Sequence, residues 1–360
     1  MAERVVLHIG SMKSGTSFIQ NVLGNNRDAL AQHGISFAGE KWRDQVAAVQ
    51  DLAAHGGPKQ PPLEPAGAWQ RLVDDINASP GTSVVSMEFL APRMTPKIEI
   101  IRDALHGRLD VVLTGRDLAR NIAAMWLESV QNGSAVTWDD YLAAVRSEDN
   151  VSPVARNFWN HQGLATIARR WSDVVGPEHF TVMTVPPKGA SSSLLWERFA
   201  QVLELDPAAF ELNVRANRSI GLATAITLRH LNEILARDGT PAADQRFYDL
   251  LVKHLLTKRG LVAREGEPTL GLDERWVMKR GAAEVTALRA QGHRVVGDLD
   301  ELLPQPVRGI HPDQVSLAQQ LDAAMEGLAR MTQISMERED KHRQRLRRRN
   351  ARRRAQGGNP

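Results

Sequence analysis

The 360-residue chain contains no cysteine. That excludes disulfides, thiolate zinc sites, iron–sulfur clusters and cysteine nucleophiles. It also lacks any run approaching the ~20 apolar residues needed to span a bilayer. Met1-Ala2-Glu3-Arg4 passes straight into an apolar strand pattern at Val5, without the charged region and cleavage site of a secretion signal. These absences predict a soluble, cytoplasmic protein. HExxH, a closely spaced His pair with acids, and GxSxG are also missing, so zinc hydrolysis and the α/β-hydrolase elbow have no support. Acidic residues are absent from Lys341 to Pro360, where nine Lys and Arg lie. The net charge of +3 less those nine leaves −6 for residues 1–340, so the basic character belongs to the tail. A solvated tail or a contact with a polyanion (RNA, DNA or an acidic membrane surface) both fit it.

The pattern that is present alternates strand and helix. Arg4 to Ile9, Thr82 to Met87, Asp110 to Thr114 and His179 to Val185 read as short strands, with Ile35-Ser36-Phe37 as a further one. Helical periodicity separates them, which predicts an α/β fold with a parallel sheet covered on both faces. His55 to Gly67 is a Pro/Gly loop. After residue 190 the pattern is helical through 192–204, 220–237, 243–258, 273–291 and 313–335. The expected organisation is one α/β domain over 1–305, largely helical from 190, then a C-terminal helix over 306–336 and a basic tail over 337–360 that is either a charge-rich extension of that helix or a disordered segment.

The chemistry concentrates in His8 to Gln20, HIGSMKSGTSFIQ, which runs from strand through loop into helix. A helix N-terminus there presents unpaired backbone N–H groups and the positive end of its dipole to an anion. Gly10 and Gly15 allow close backbone approach. Ser14, Thr16 and Ser17 add hydroxyls, and Lys13 adds a full charge. The loop reads as a phosphate or sulfate cradle. A Walker A loop would match Gly10 and Gly15 but require lysine at residue 16, which is Thr16. Two further residues stand at strand ends, where open α/β sheets bind ligands. Glu88 follows VVSM, and is either a general base or a structural carboxylate. Arg116 follows VVLTG, and is either a bidentate phosphate ligand or one half of a surface salt bridge. His8 reads as a core residue, His161 as a weaker base candidate. Trp126, Phe158, Trp159 and Trp171 read as core.

The segment MKSGTS, Met12 to Ser17, resembles the 5′-phosphosulfate loop of sulfotransferases that use 3′-phosphoadenosine 5′-phosphosulfate (PAPS), commonly PK[ST]GT[ST], with Met12 in place of proline. HIG and IQ around it resemble a bacterial branch of that family. FWNHQGLATIARRW, TVPPKG, LLWERFAQVLELDP, ANRSIG and VVGDLDELLP extend the resemblance over most of residues 4–304. It implies a three-layer, P-loop NTPase-like fold with additional C-terminal helices, and PAPS as co-substrate without a required metal. Lys13, Ser14, Gly15, Thr16 and Ser17 would hold the 5′-phosphate, and Lys13 would also act in catalysis. Arg116 would bind the 3′-phosphate. Eight residues after it the family carries Ser, and this chain has Ala124, so that hydroxyl is missing. Lys188-Gly189, or Arg215, Asn217, Arg218 and Ser219, are further candidates to approach the cofactor. The acceptor would be a small molecule, carbohydrate or lipid bearing a hydroxyl or amine, with Glu88 as base. The rival expectations are a P-loop kinase or NTPase using Mg-ATP, with Glu88 on the metal, and a catalytically inactive nucleotide-binding relative.

Overall fold

The computed structural model describes residues 2–54, 67–147, 151–213, 219–237, 245–262 and 264–356. Arg215, Asn217, Arg218, most of the Pro/Gly loop and the last four residues lie outside them. Strands β1 (Ala2–His8), β2 (Ile35–Phe37), β3 (Gly81–Ser86), β4 (Arg108–Gly115), β5 (Phe180–Thr184) and β6 (Arg294–Val296) form one sheet in the order β2-β3-β1-β4-β5-β6. Every adjacent pair is parallel. The expected strands are all present. β6 is an addition; its three residues, one of them charged, are too short to announce a strand by periodicity.

Helices fill the crossovers. They are α1 (Thr16–Asn25), α2 (Arg27–Gln32), α3 (Trp42–Ala54), α4 (Ala68–Ala78), α5 (Thr95–Ala104), α6 (Leu118–Gln131), α7 (Trp138–Arg146), α8 (Pro153–Gln162), α9 (Leu164–Val175) and α10 (Leu194–Leu203). Then come α11 (Leu222–Arg237), α12 (Gln245–Tyr248), a π-helical stretch Asp249–Leu261, α13 (Arg275–Ala290) and α14 (Leu317–Gln356).

Strand alternation produces three layers. Val5, Leu7 and Ile9, with Val111 and Leu113, face one core built with α3, α4, α5, α9 and α13. Val6, Val84 and Val112 face the other, built with α1, α2 and α10 around Trp196 and Phe199. Both faces are buried, which is why the strands read as nearly continuous apolar runs rather than as alternating ones.

The chain groups into two compact units with interleaved segments. One comprises Met1–Met125, Tyr141–Asn217 and Asp273–Val307 and contains the whole sheet. The other comprises Trp126–Asp140, Arg218–Leu272 and Arg308–Pro360. In the second unit, buried Asn232 donates to the Val130 and Ser134 carbonyls and accepts from the Tyr248 hydroxyl at 2.7 Å. Arg264 there is held by Glu267, Asp322 and Glu326. Helix α14 runs unbroken through residue 337, where the sequence suggested a boundary. No Gly or Pro lies between residues 328 and 356, and Glu339 pairs with Arg343 one turn on. Among the described residues, no helix is long and apolar enough to cross a membrane.

Candidate functional site

The loop between β1 and α1 is shaped by three left-handed residues: Gly10 at φ 68°, Lys13 at φ 62° and Gly15 at φ 80°. At Gly10 a side chain would also collide. An added Cβ would sit 2.7 Å from Thr16 Cγ2 and 2.9 Å from Glu88 Cβ. Glu88 therefore packs directly against the base of the loop. At Gly15 an added Cβ would lie 2.5 Å from a Leu195 methyl. Lys13 adopts the same backbone region without glycine's exemption, which stores strain at the position carrying the charge.

A buried polar chain fixes the loop from beneath. His8 is fully buried, with Nδ1 2.7 Å from Ser86 Oγ and Nε2 3.1 Å from Thr114 Oγ1. Thr114 Oγ1 lies 2.7 Å from Ser14 Oγ, which lies 2.5 Å from the Ser11 carbonyl oxygen. The last link sets the direction. Ser14 has one O–H and spends it on Ser11, so Thr114 must donate to Ser14. His8 Nε2–H then donates to Thr114, and His8 Nδ1 accepts from Ser86. Burial holds the imidazole neutral by lowering its pKa to about 3, as this tautomer requires. His8 is thus a structural link across β3, β1 and β4. The Ser14 hydroxyl, expected to serve a ligand, is consumed inside the loop.

What the loop offers outward is backbone. Phe18 and Ile19 donate to the Gly15 carbonyl. Among the described residues, none accepts from the N–H groups of Ser14, Gly15, Thr16 or Ser17. Thr16 is buried with its methyl against Gly10, whereas Lys13 and Ser17 are half-buried.

The two strand-end residues converge on this loop. Gln20, on α1, donates through Nε2 to the Ser86 carbonyl at 3.0 Å and to Glu88 Oε2 at 2.9 Å. This fixes the carboxylate of the half-buried Glu88. Arg116 reaches back so that Nη1 lies 3.4 Å from the Lys13 carbonyl oxygen. Its neighbour Asp117 pairs with Arg120, and Arg116 has no carboxylate partner among the described residues. The surface salt bridge considered for Arg116 is therefore not formed. Its Nε is buried and without a hydrogen bond. Burial, reinforced by Arg120 and opposed by Asp117, lowers its pKa to about 10, so the guanidinium stays charged at neutral pH.

The far side of the loop is held by Gln162 at the end of α8, which donates to the Met12 carbonyl at 2.9 Å. Asn121 of α6 donates to Gln162 Oε1 at 2.7 Å. Gln20, Gln162 and Asn121 are all buried, and none was singled out from sequence. The available signal was a polar residue in the apolar register of its helix, such as Gln162 four residues after Phe158. Ala124 leaves no hydroxyl eight residues after Arg116, and Ser129 donates instead to the Trp126 carbonyl within α6. Lys188, Gly189 and Ser219 are exposed. Trp126, Phe158, Trp159 and Trp171 are buried in the core, as their helical positions predicted.

No protein-family profile matches the chain, and neither does any curated protein. Among solved structures, a sulfotransferase from Alicyclobacillus acidocaldarius aligns over 70% of this chain and 96% of its own, at 14% identity and a TM-score of 0.42.

Proposed function

We propose that the chain is a sulfotransferase that moves a sulfuryl group from PAPS to a hydroxyl or amine of an acceptor. The observation that carries this reading is the loop itself: four N–H groups around the start of α1 without an acceptor among the described residues, beside Lys13 and an Arg116 that forms no ion pair with a described carboxylate. Such a site suits a polyanionic nucleotide.

In this reading the N–H groups of Ser14, Gly15, Thr16 and Ser17 hold the 5′-phosphate. Ser14 contributes through its backbone only. Arg116 takes the 3′-phosphate. The bond between sulfur and the bridging phosphate oxygen breaks as sulfur bonds to the acceptor oxygen or nitrogen. Lys13 stabilises the negative charge growing on the departing oxygen. Glu88, oriented by Gln20, accepts the acceptor's proton, and adenosine 3′,5′-bisphosphate leaves. Positioning and electrostatics supply the rate enhancement, as in phosphoryl transfer.

Thermal shift tests the reading. A ligand at 100 times its dissociation constant adds about 2.7 kcal/mol of stability. Adenosine 3′,5′-bisphosphate is expected to stabilise the protein without magnesium, and adenosine 5′-phosphate to stabilise it less. Arg116→Ala should erase the difference between these two nucleotides. Stabilisation by Mg-ATP alone would replace sulfuryl with phosphoryl transfer, and no response to any nucleotide would refute nucleotide binding. Incubation with labelled PAPS and a cell extract then identifies the acceptor.

A further inference from the structure

Beside the phosphate loop lies a second group of cationic side chains that the transfer mechanism leaves unused. The chain leaves Glu88 through a single 3-10 turn, Glu88–Leu90, and reaches Arg93, whose N–H closes the following turn on the Leu90 carbonyl at 2.9 Å. Arg170 of α9 straddles this residue. It donates to the Ala91 carbonyl at 3.0 Å and contacts the Met94 sulfur at 3.6 Å. His161 completes the group from α8. Its neighbour Gln162 is the residue that grips the Met12 carbonyl of the phosphate loop. The cluster is therefore tied to the proposed reaction site on two sides, through Glu88 and through the loop.

Its electrostatics are unbalanced. Arg93 Nε, Arg170 Nε and His161 Nδ1 are all shut away from solvent and all lack a hydrogen-bond partner. The whole Arg93 guanidinium donates to none of the described residues. Burial lowers the pKa of all three groups, and the charge of Arg93 adds to the effect on both His161 and Arg170. Among the described residues, no carboxylate offsets them. Holding two like charges half-buried and unpaired costs stability, and an arriving anion would recover that cost.

We infer that Arg93, Arg170 and His161 form the acceptor subsite, and that the acceptor carries an oxyanion (a carboxylate, or a phosphate or sulfate ester) apart from the hydroxyl or amine that is sulfated. The two guanidinium forks match the planar or tetrahedral oxygens of such a group, and the imidazole supplies a further N–H. The identity of the ligand as acceptor rests on the sulfotransferase reading. The presence of an oxyanion site does not.

The test follows the His161 ring by NMR of histidine-labelled protein while sodium phosphate is added at constant ionic strength. Titrations are run with and without saturating adenosine 3′,5′-bisphosphate. Saturable shifts of His161 are expected in both. Arg93→Gln should weaken phosphate binding by at least about tenfold, the loss expected for one charge-assisted contact. Lys13→Ala should leave it unchanged. Arg93→Gln should also raise the unfolding midpoint in phosphate-free buffer, because it removes an unpaired buried charge. An unmoved His161, equal affinity in Arg93→Gln, or a lower midpoint for that variant would overturn the oxyanion site. Competition by the nucleotide at His161 would reassign the cluster to nucleotide phosphate. If the protein takes up phosphate here but binds no adenosine bisphosphate, the sulfotransferase reading fails while the oxyanion site stands.

Discussion

Lys13 combines two roles that can be separated by mutation. Its backbone sits at φ 62°, where a Cβ is unfavourable, and its side chain supplies the charge of the anion cradle. Lys13→Ala and Lys13→Gly remove the same ammonium group but differ at the backbone. An L-residue in this region pays about 1–2 kcal/mol that glycine does not. Glycine returns roughly 0.5–1 kcal/mol through the greater entropy of its unfolded chain. Lys13→Gly should therefore be about 0.5–1 kcal/mol more stable than Lys13→Ala, a net difference of those two terms. Urea unfolding of both variants measures it, read as a higher midpoint at unchanged slope. Isothermal titration with adenosine 3′,5′-bisphosphate should then give the same weakened affinity for both. A Lys13→Gly protein no more stable than Lys13→Ala would refute the left-handed loop. Unimpaired nucleotide affinity in both would remove the lysine from the cradle.

Two other perturbations test how the site is braced. Gly10→Ala combines a positive φ with contacts of 2.7 Å to Thr16 and 2.9 Å to Glu88. It should cost about 2–4 kcal/mol in denaturant unfolding and weaken nucleotide binding; a loss below about 1 kcal/mol would contradict the packing of Glu88 against the loop. Arg198 holds Glu301 with bonds of 2.6 and 2.7 Å, and Thr184 at the end of β5 donates to the same carboxylate. Burial favours the protonated acid, but these bonds outweigh it and lower the Glu301 pKa below its ordinary 4.5. The stabilisation is thus present above that value and lost as pH falls through the lower folded value. The stability gap between the native protein and Glu301→Gln should be constant near neutrality and shrink below about pH 4.5; a gap that stays flat into acid would show that the ion pair contributes nothing.

The sequence alone determined a good deal. Apolar runs punctuated by glycine announced five of the strands, and a doubly covered parallel sheet follows from runs that bury both faces. The spacing of Gly10, Lys13 and Gly15 before an amphipathic helix marked the loop, because only a few backbone shapes join a strand to a helix so tightly. Glu88 and Arg116 were legible as the polar residues that end β3 and β4. Tertiary packing decided the rest. That Ser14 spends its hydroxyl on Ser11 depends on Thr114, a hundred residues away, donating to it from the neighbouring strand. Gln20, Gln162 and Asn121 act only because α1, α6 and α8 bring buried amides to the C-terminal edge of the sheet. The Arg93–Arg170–His161 group has no sequence spacing at all. Three elements assemble it, and unpaired charge becomes apparent only once the neighbours that could have neutralised it are seen to be absent among the described residues. Local patterns encode the backbone because hydrogen bonding and side-chain periodicity are local, whereas partner choice for a buried polar group is settled by whatever the fold packs against it.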